Sequence, residues 1–183
     1  MSKKRINSIT MVTTAAMMTA ISVVIGIFCK TYLNFGMGLF RVTFENLPII
    51  MTGIIYGPIV GGLVGAASDL VSYLFSAQVY PPNLIVTFGA MSVGIVSGLV
   101  AKIIVRKKGT MQIITSGACA HIIGSMIIKP IGLYQLYGML VLWRIPLYFV
   151  IAPVEIFVIC ILLKRRSFSR LIGYSMEEQD ELR

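Results

Sequence analysis

Six apolar stretches, joined by short polar or glycine-containing connections, take up most of the chain. They lie at residues 9–29, 47–56, 59–75, 83–105, 111–128 and 139–163. The full-length stretches have about the 20 residues that a helix needs to cross a bilayer. Gly57-Pro58 separates the second stretch from the third, and the two together are too long for one helix, so they predict two short helices that meet at a tight turn. The sequence therefore predicts an all-α membrane protein, a bundle of six transmembrane helices.

The composition excludes a soluble domain. Of the 183 residues, 57% are hydrophobic and only 13% are charged, whereas soluble domains carry about 25% charged residues. The mean hydropathy is +0.88. The first stretch is too long for the apolar core of a typical signal peptide, and we expect a retained helix. One membrane domain at 1–172 and a polar cytoplasmic tail at 173–183 account for the chain.

The basic residues indicate the orientation of the bundle. The formal net charge is +9, but the cations cluster at residues 3–5, 102–108 and 164–170, and each cluster abuts an apolar stretch. Such clusters mark cytoplasmic flanks, so the basicity reflects topology and does not indicate a nucleic-acid surface. We expect both termini to be cytoplasmic, with outer loops after helices 1, 3 and 5.

The three predicted outer loops differ in composition. The first, at 30–46, is glycine-containing and partly alternating, which is compatible with a short strand. The second is the short segment 76–82, and the third is 129–138, which contains a Lys-Pro pair and two glycines. The sixth helix then begins near residue 139.

Four cations on or near the outer side are not explained by the positive-inside rule. They are Lys30, Arg41, Lys129 and Arg144, and their outer acidic companion is Glu45. Snorkelling at a helix end is one explanation, and it suits Lys30 best. The other is binding of an anionic solute from outside, because guanidinium groups hold carboxylates through two parallel hydrogen bonds.

Three ionisable residues fall deep inside apolar stretches. Asp69 is protonated, or locked to a neighbouring helix, or faces a solute cavity, because a carboxylate in a membrane span is costly without a partner. Glu155 is expected to be a structural partner. His121, the single histidine, is either a buried hydrogen-bonding group or a cavity contact. Neither this histidine nor the three separated cysteines have metal-ligand spacing, so no metal site is predicted.

Small residues recur every four positions in the third and fourth stretches. They are Gly57, Gly61 and Gly65 in one, and Ala90, Gly94 and Gly98 in the other. Such a face lets a neighbouring backbone approach closely, so we expect internal helix packing. Ala16 and Ala20 form a shorter face on the first helix, which packs either inside this protein or against another.

The sequence contains no catalytic signature. A phosphate-binding loop, a Ser/His/Asp spacing and paired carboxylates are all missing from it, so no enzyme is predicted, and ATP-driven transport would need another subunit. An internal repeat is also missing, which argues against a stand-alone secondary transporter. A small membrane enzyme or assembly factor is a further alternative, which would need catalytic polar groups near one interface.

Residues 41–75, RVTFENLPIIMTGIIYGPIVGGLVGAASDLVSYLF, resemble the second and third helices of a known family. The family is the S components, the substrate-binding subunits of energy-coupling factor (ECF) vitamin transporters, and the folate type is the most similar. An arginine and a phenylalanine precede Leu47-Pro48, and Gly57-Pro58 follows. Gly61, Gly65 and Asp69 complete the pattern that carries the resemblance.

The resemblance implies a six-helix bundle in a prokaryotic cell membrane that binds its vitamin near the outer face. The first outer loop would be a lid, and helices four to six with the outer loops would build the pocket. Ala16 and Ala20 match an A-x-x-x-A motif that faces the transmembrane coupling subunit in this family. Two ATPase subunits complete such an importer and consume the ATP, so this chain itself needs no cofactor.

The entry to the fourth helix departs from the folate type. Residues 80–92 read YPPNLIVTFGAMS, where folate-type members usually have a Pro-Gly-Phe-Thr-like segment. Asn83, Phe88 and Ser92 are therefore assigned to the pocket by position and not by motif. Another vitamin, such as riboflavin, is the alternative within the family.

The outer cations agree with folate, which carries two carboxylates and a flat pterin ring. The carboxylates would be held by Arg41, Lys129 or Arg144. The rings would stack on an aromatic side chain, for which the candidates are Trp143, Phe88 and Tyr73. Asp69 would accept hydrogen bonds from pterin nitrogens or orient an arginine.

Overall fold

The computed structural model describes residues 8–35, 40–75, 83–107 and 109–165. At 34–35, 40–41, 135–137, 140 and 143–144 the description covers the backbone alone. The α-helices are α1 (Ser8–Tyr32), α2 (Asn46–Tyr56), α3 (Pro58–Phe75), α4 (Leu84–Leu99), α5 (Thr110–Ala120), α6 (Lys129–Tyr137) and α7 (Arg144–Lys164). A hairpin of β1 (Asn34–Phe35) and β2 (Phe40–Arg41) follows α1.

Within the described residues, five helices are long and apolar enough to cross a membrane. They are Ser8–Tyr32, Pro58–Phe75, Leu84–Ile104, Thr110–Tyr134 and Ile145–Lys164, and the shorter apolar helix Asn46–Tyr56 accompanies them. The predicted fold class and the predicted set of six apolar helices are confirmed. The cytoplasmic position of both termini stays a prediction, and the tail at 173–183 lies outside the described residues.

The small-residue faces of α3 and α4 pack against each other. A Cβ atom on Gly61 would lie 2.6 Å from the carbonyl oxygen of Gly94, and one on Gly65 would overlap the carbonyl of Ala90. Because these neighbours are backbone atoms, no side-chain rotation would relieve the overlap. The predicted internal packing of the two faces is therefore confirmed, and the faces are now assigned to one interface.

Helix α2 is short and lies in the interior of the bundle. Ile49, Ile50, Met51 and Thr52 are each at most 1% exposed, and the helix contacts α1, α3 and α4. It ends at Gly57, whose φ of +100° suits glycine alone among common residues. Lys102 Nζ donates to the carbonyl oxygen of Tyr56 at 3.0 Å and satisfies that helix end. The predicted tight turn between the second and third helices is confirmed.

Two helices continue through wider π-helical turns, which the sequence did not predict. Helix α4 continues as Val100–Ile104, where Gln112 Nε2 donates to the carbonyl oxygens of Ala101 at 2.7 Å and Val105 at 2.9 Å. Helix α5 continues as His121–Ile128. Because a π-turn rotates the residues after it relative to an α-helix, it changes which side chains face the bundle.

The prediction that residues 129–138 form a loop is wrong. These residues form helix α6, which follows the π-helical turn directly. Pro130 directly follows the π-helical turn, in which the amide of Lys129 donates to the carbonyl oxygen of Gly124, and proline has no N–H with which to continue this series. The helix ends at Gly138, which has a φ of +60°.

The start of the sixth span also differs from the prediction. Gly138–Trp143 is a 3₁₀-helical segment, and α7 begins at Arg144. Arg144 is thus the first residue of the helix, and not five residues inside it. The first outer loop does contain strands, because Asn34 pairs with Arg41 and Phe35 with Phe40.

Candidate functional site

A network of polar side chains joins the helices at one end of the bundle. We call this the loop end, because α1 leads to α2 and α3 leads to α4 there. Lys30 Nζ, near the end of α1, donates to Ser72 Oγ of α3 at 2.6 Å. Asn83 accepts from the amide of Ile85 at 3.0 Å as the N-cap of α4, and its Nδ2 donates to the carbonyl oxygen of Gly132 in α6 at 2.6 Å. These bonds fix the helix ends that surround the predicted pocket.

Lys129 is the most buried cation of the loop end, at 5% exposure. Its ammonium group donates to Asn46 Oδ1 at 2.9 Å and lies 3.4 Å from Glu45 Oε1. Its aliphatic stem crosses Gly89, where a Cβ would be 2.6 Å from Lys129 Cγ. The charge of Lys129 is therefore compensated inside the protein by Glu45, a carboxylate 84 residues away in sequence.

Asp69 lies beside a small cavity between the first four helices. Its Oδ2 accepts from Thr87 Oγ1 of α4 at 2.7 Å. The cavity is lined by Ser22, Glu45, Ile49, Ser68, Asp69 and Ala90. Its volume of about 10 Å³ has room for about one water-sized group. The carboxylate of Asp69 therefore bonds to a neighbouring helix, and it also lines a cavity that is far smaller than a vitamin. Its contact with a solute stays a prediction.

The other predicted pocket residues of α3 and α4 are not gathered at one place. Ser92 Oγ donates to the carbonyl oxygen of Gly89 at 2.7 Å and lies beside Gly124 of the π-helical turn. Phe88 is 61% exposed, so its ring faces away from the bundle. Tyr73 is half-buried. Their assignment to the vitamin pocket stays a prediction.

His121 and Glu155 form a buried pair between α5 and α7. His121 Nε2 lies 2.8 Å from Glu155 Oε2, and the two side chains are 1% and 0% exposed. The ring of Tyr148 lies 6.4 Å from the imidazole between centroids. Glu155 is the structural partner that the sequence suggested, and neither member of the pair lines the Asp69 cavity.

Three predicted binding side chains, those of Arg41, Trp143 and Arg144, lie outside the described side chains. The backbone of Arg41 is in β2, Trp143 ends the 3₁₀-helical segment, and Arg144 begins α7. All three positions are in the connections between helices or at a helix start. Their roles in binding stay predictions.

Sequence reasoning gave no role to several polar residues that the fold brings together. Asn46 is completely buried, and its Nδ2 donates to Ser125 Oγ at 3.4 Å. Ser22 Oγ donates to the carbonyl oxygen of Glu45 at 2.7 Å, and Ser68 lines the cavity. The signal was a polar Glu-Asn pair directly before a buried apolar helix, because such residues are rarely buried without partners.

Ala16 and Ala20 lie on the exposed side of α1. Thr14, Met18 and Ser22 on the opposite side are buried. The small face is therefore not used for packing within the described bundle and is available to lipid or to another protein.

Comparison with known proteins identifies the family. A family profile described as the substrate-specific component of ECF transporters matches residues 10–176. The chain belongs to this family. It is therefore the substrate-binding subunit of an ECF transporter and a multi-pass membrane protein.

Two solved structures share the fold. A crystal structure of FolT bound with folic acid has a TM-score of 0.57 and 17% identity, with coverage of 90% of this chain and 94% of FolT. The S component of a bacterial ECF transporter has a TM-score of 0.60 and 25% identity, with coverage of 88% of this chain and 96% of that S component. No curated protein matches the chain.

Proposed function

We propose that this S component binds folate at the loop end and delivers it to an ECF importer in a prokaryotic plasma membrane. The observation that carries the proposal is the placement of cations. Lys129 lies at this end, Arg41 lies in the hairpin between α1 and α2, and Arg144 begins α7. Two carboxylates on the tail of folate would need such partners, whereas a neutral or cationic vitamin would not.

The state of Lys129 refines how the tail is held. Its ammonium group is already bonded to Asn46 and close to Glu45, so a ligand carboxylate would have to compete with an internal one. Arg41 and Arg144 are therefore the preferred partners of the folate tail, and Lys129 has a mainly structural role. The similarity of the fold to that of FolT supports folate as the first ligand to test.

A non-folate vitamin is the second candidate. The identity is higher to the S component whose description names no vitamin, at 25% against 17%. Riboflavin, which is also flat and largely apolar, is the comparison ligand.

Substitution of Arg144 by alanine is expected to weaken folate binding by about 10- to 100-fold, because the loss of a charged hydrogen-bonding partner costs about 1.5–3 kcal/mol. The measurement is isothermal titration of the detergent-purified chain with folate, 5-formyl-folate and riboflavin. In the unsubstituted protein, quenching of the single tryptophan, Trp143, gives a second readout.

Arg106→Ala is the matched control, since Arg106 is exposed beyond the end of α4, away from the loop end. Its affinity for folate should equal that of the unsubstituted chain. Binding of riboflavin without binding of folate would contradict the folate proposal and keep the S-component function. An unchanged folate affinity in Arg144→Ala would contradict the role of this arginine.

The chain is further proposed to act without catalysis and without a cofactor, and to assemble with a coupling subunit and two ATPase subunits. The exposed face of Ala16 and Ala20 would contact the coupling subunit, because small residues let two helices approach closely.

Substitution of Ala16 by tryptophan is expected to abolish co-purification with the coupling subunit while vitamin affinity stays unchanged. The indole would hold the two helices apart without disturbing the buried side of α1.

Ile161→Trp adds an indole at another exposed helix position, on α7. This control should assemble normally, as judged by affinity co-purification from a strain that expresses all subunits. Equal assembly of Ala16→Trp and Ile161→Trp would place the coupling interface on another face.

A further inference from the structure

The small cavity between α1, α2, α3 and α4 is lined mainly by oxygen-bearing side chains. Ser22 comes from α1, Glu45 precedes α2, and Ser68 and Asp69 come from α3. Ile49 and Ala90 complete the lining. With a volume of about 10 Å³, the cavity holds one group of the size of a water molecule.

Ser68 points to a ligand in this cavity. The residue is 3% exposed, and its hydroxyl has no hydrogen-bond partner within the described structure. A buried hydroxyl without a partner is costly, so such groups normally bind another protein group, an ordered water or an ion. The hydroxyl of Ser22 has already used its hydrogen on the carbonyl oxygen of Glu45 at 2.7 Å, so towards the cavity it offers lone pairs.

The two carboxylates of the cavity differ in their direct partners. Glu45 has the ammonium group of Lys129 at 3.4 Å, whereas Asp69 has one neutral donor, Thr87, and no ion pair among the described residues. The other nearby cation, Lys30, is bonded to Ser72, which lies one helical turn beyond Asp69. Among the described side chains, Asp69 is therefore a carboxylate in a membrane-spanning helix without a cationic partner.

We propose that this cavity binds a monovalent cation of the size of sodium. Two carboxylates and two hydroxyls supply the oxygen ligands that hard cations prefer. Because Glu45 already has an ion pair with Lys129, Asp69 is the one carboxylate of this lining left to neutralise a bound ion among the described side chains, which suits a monovalent ion and not a divalent one. A water molecule has two hydrogens to donate and would leave acceptors unsatisfied, whereas a cation interacts with every oxygen around it. Sodium binds oxygen ligands at shorter distances than potassium does, so a cavity this small, in which the oxygens can close around the ion, favours sodium.

The test is the thermal unfolding of the full chain in detergent without any vitamin, in sodium, potassium or choline chloride at equal ionic strength. Because the ionic strength is equal, a difference in Tm between the salts cannot come from general charge screening. At a sodium concentration about ten times the dissociation constant, Tm should rise by about 3–6 °C over choline. Potassium should produce a much smaller rise.

Two conservative variants locate the site. Ser68→Ala and Asp69→Asn keep the side-chain volumes nearly unchanged and should lose most of the sodium response. Ser116→Ala is the matched control, because Ser116 is also completely buried and without a hydrogen-bond partner, but it lies on α5 and does not line the cavity. It should keep the full response.

The proposal is overturned if sodium and choline give the same Tm, if potassium acts as strongly as sodium, or if Asp69→Asn keeps the response. Loss of the sodium response in Ser116→Ala would equally contradict the assignment of the sodium site to this cavity. Because no vitamin is present, these outcomes leave the proposed folate binding untouched, and the vitamin titration leaves the cation site untouched.

Discussion

Replacement of Gly94 by alanine is expected to lower the free energy of unfolding by about 3 kcal/mol, and Tm by about 6–12 °C. A Cβ on Gly94 would overlap the carbonyl group of Gly61. Because both partners are backbone atoms, α3 and α4 would have to move apart along their length. That movement would open the close backbone contacts along the α3–α4 interface.

The measurement is thermal unfolding of the purified variant in detergent. Gly109→Ala is the control, since a Cβ there would have no neighbour within 4 Å and the backbone is extended, with a φ of −160°. It should change the free energy of unfolding by less than about 0.5 kcal/mol. Equal stability of the two variants would mean that α3 and α4 can move apart at a lower cost in free energy than their backbone contacts indicate.

The helix set was predictable because hydropathy and charge act over contiguous residues. The apolar stretches gave the six helices, and Gly57-Pro58 gave the turn between α2 and α3. The four-residue spacing of Gly61, Gly65 and Gly94 predicted close helix packing, which the structure confirms. Each of these signals can be read within one segment of the chain.

The conformations after His121 and Lys129 could not be predicted in the same way. A π-helical turn has no local sequence signature, because its wider backbone is stabilised by the packing of neighbouring helices. The Lys-Pro pair and the two glycines at 129–138 are typical of a loop, but the helix continues through Pro130 after the π-helical turn. The result is a helix, α6, where a loop was expected.

The partners of buried charges were the least predictable part of the candidate site. Lys129 was interpreted as a possible ligand contact, but it bonds to Asn46 and lies close to Glu45. Those residues are more than 80 positions away, and no periodicity relates them. The unusual residue types are visible in the sequence, but their pairing depends on how the start of α2 meets the start of α6.

The largest effect outside the α3–α4 interface is expected at the buried pair of His121 and Glu155. Substitution of His121 by leucine leaves a completely buried carboxylate without its partner at 2.8 Å. Removal of one member of a buried pair costs about 3–5 kcal/mol, so His121→Leu should be among the least stable variants of this chain. Thermal unfolding in detergent measures the loss.

The double variant His121→Leu with Glu155→Leu separates pairing from packing. Two apolar side chains in place of a buried pair are often neutral or stabilising, so the double variant should recover most of the stability that His121→Leu loses. The double-mutant cycle then gives a coupling energy of about 2 kcal/mol or more. Additive losses would show instead that the two residues contribute through packing alone, and that α5 and α7 do not depend on their pairing.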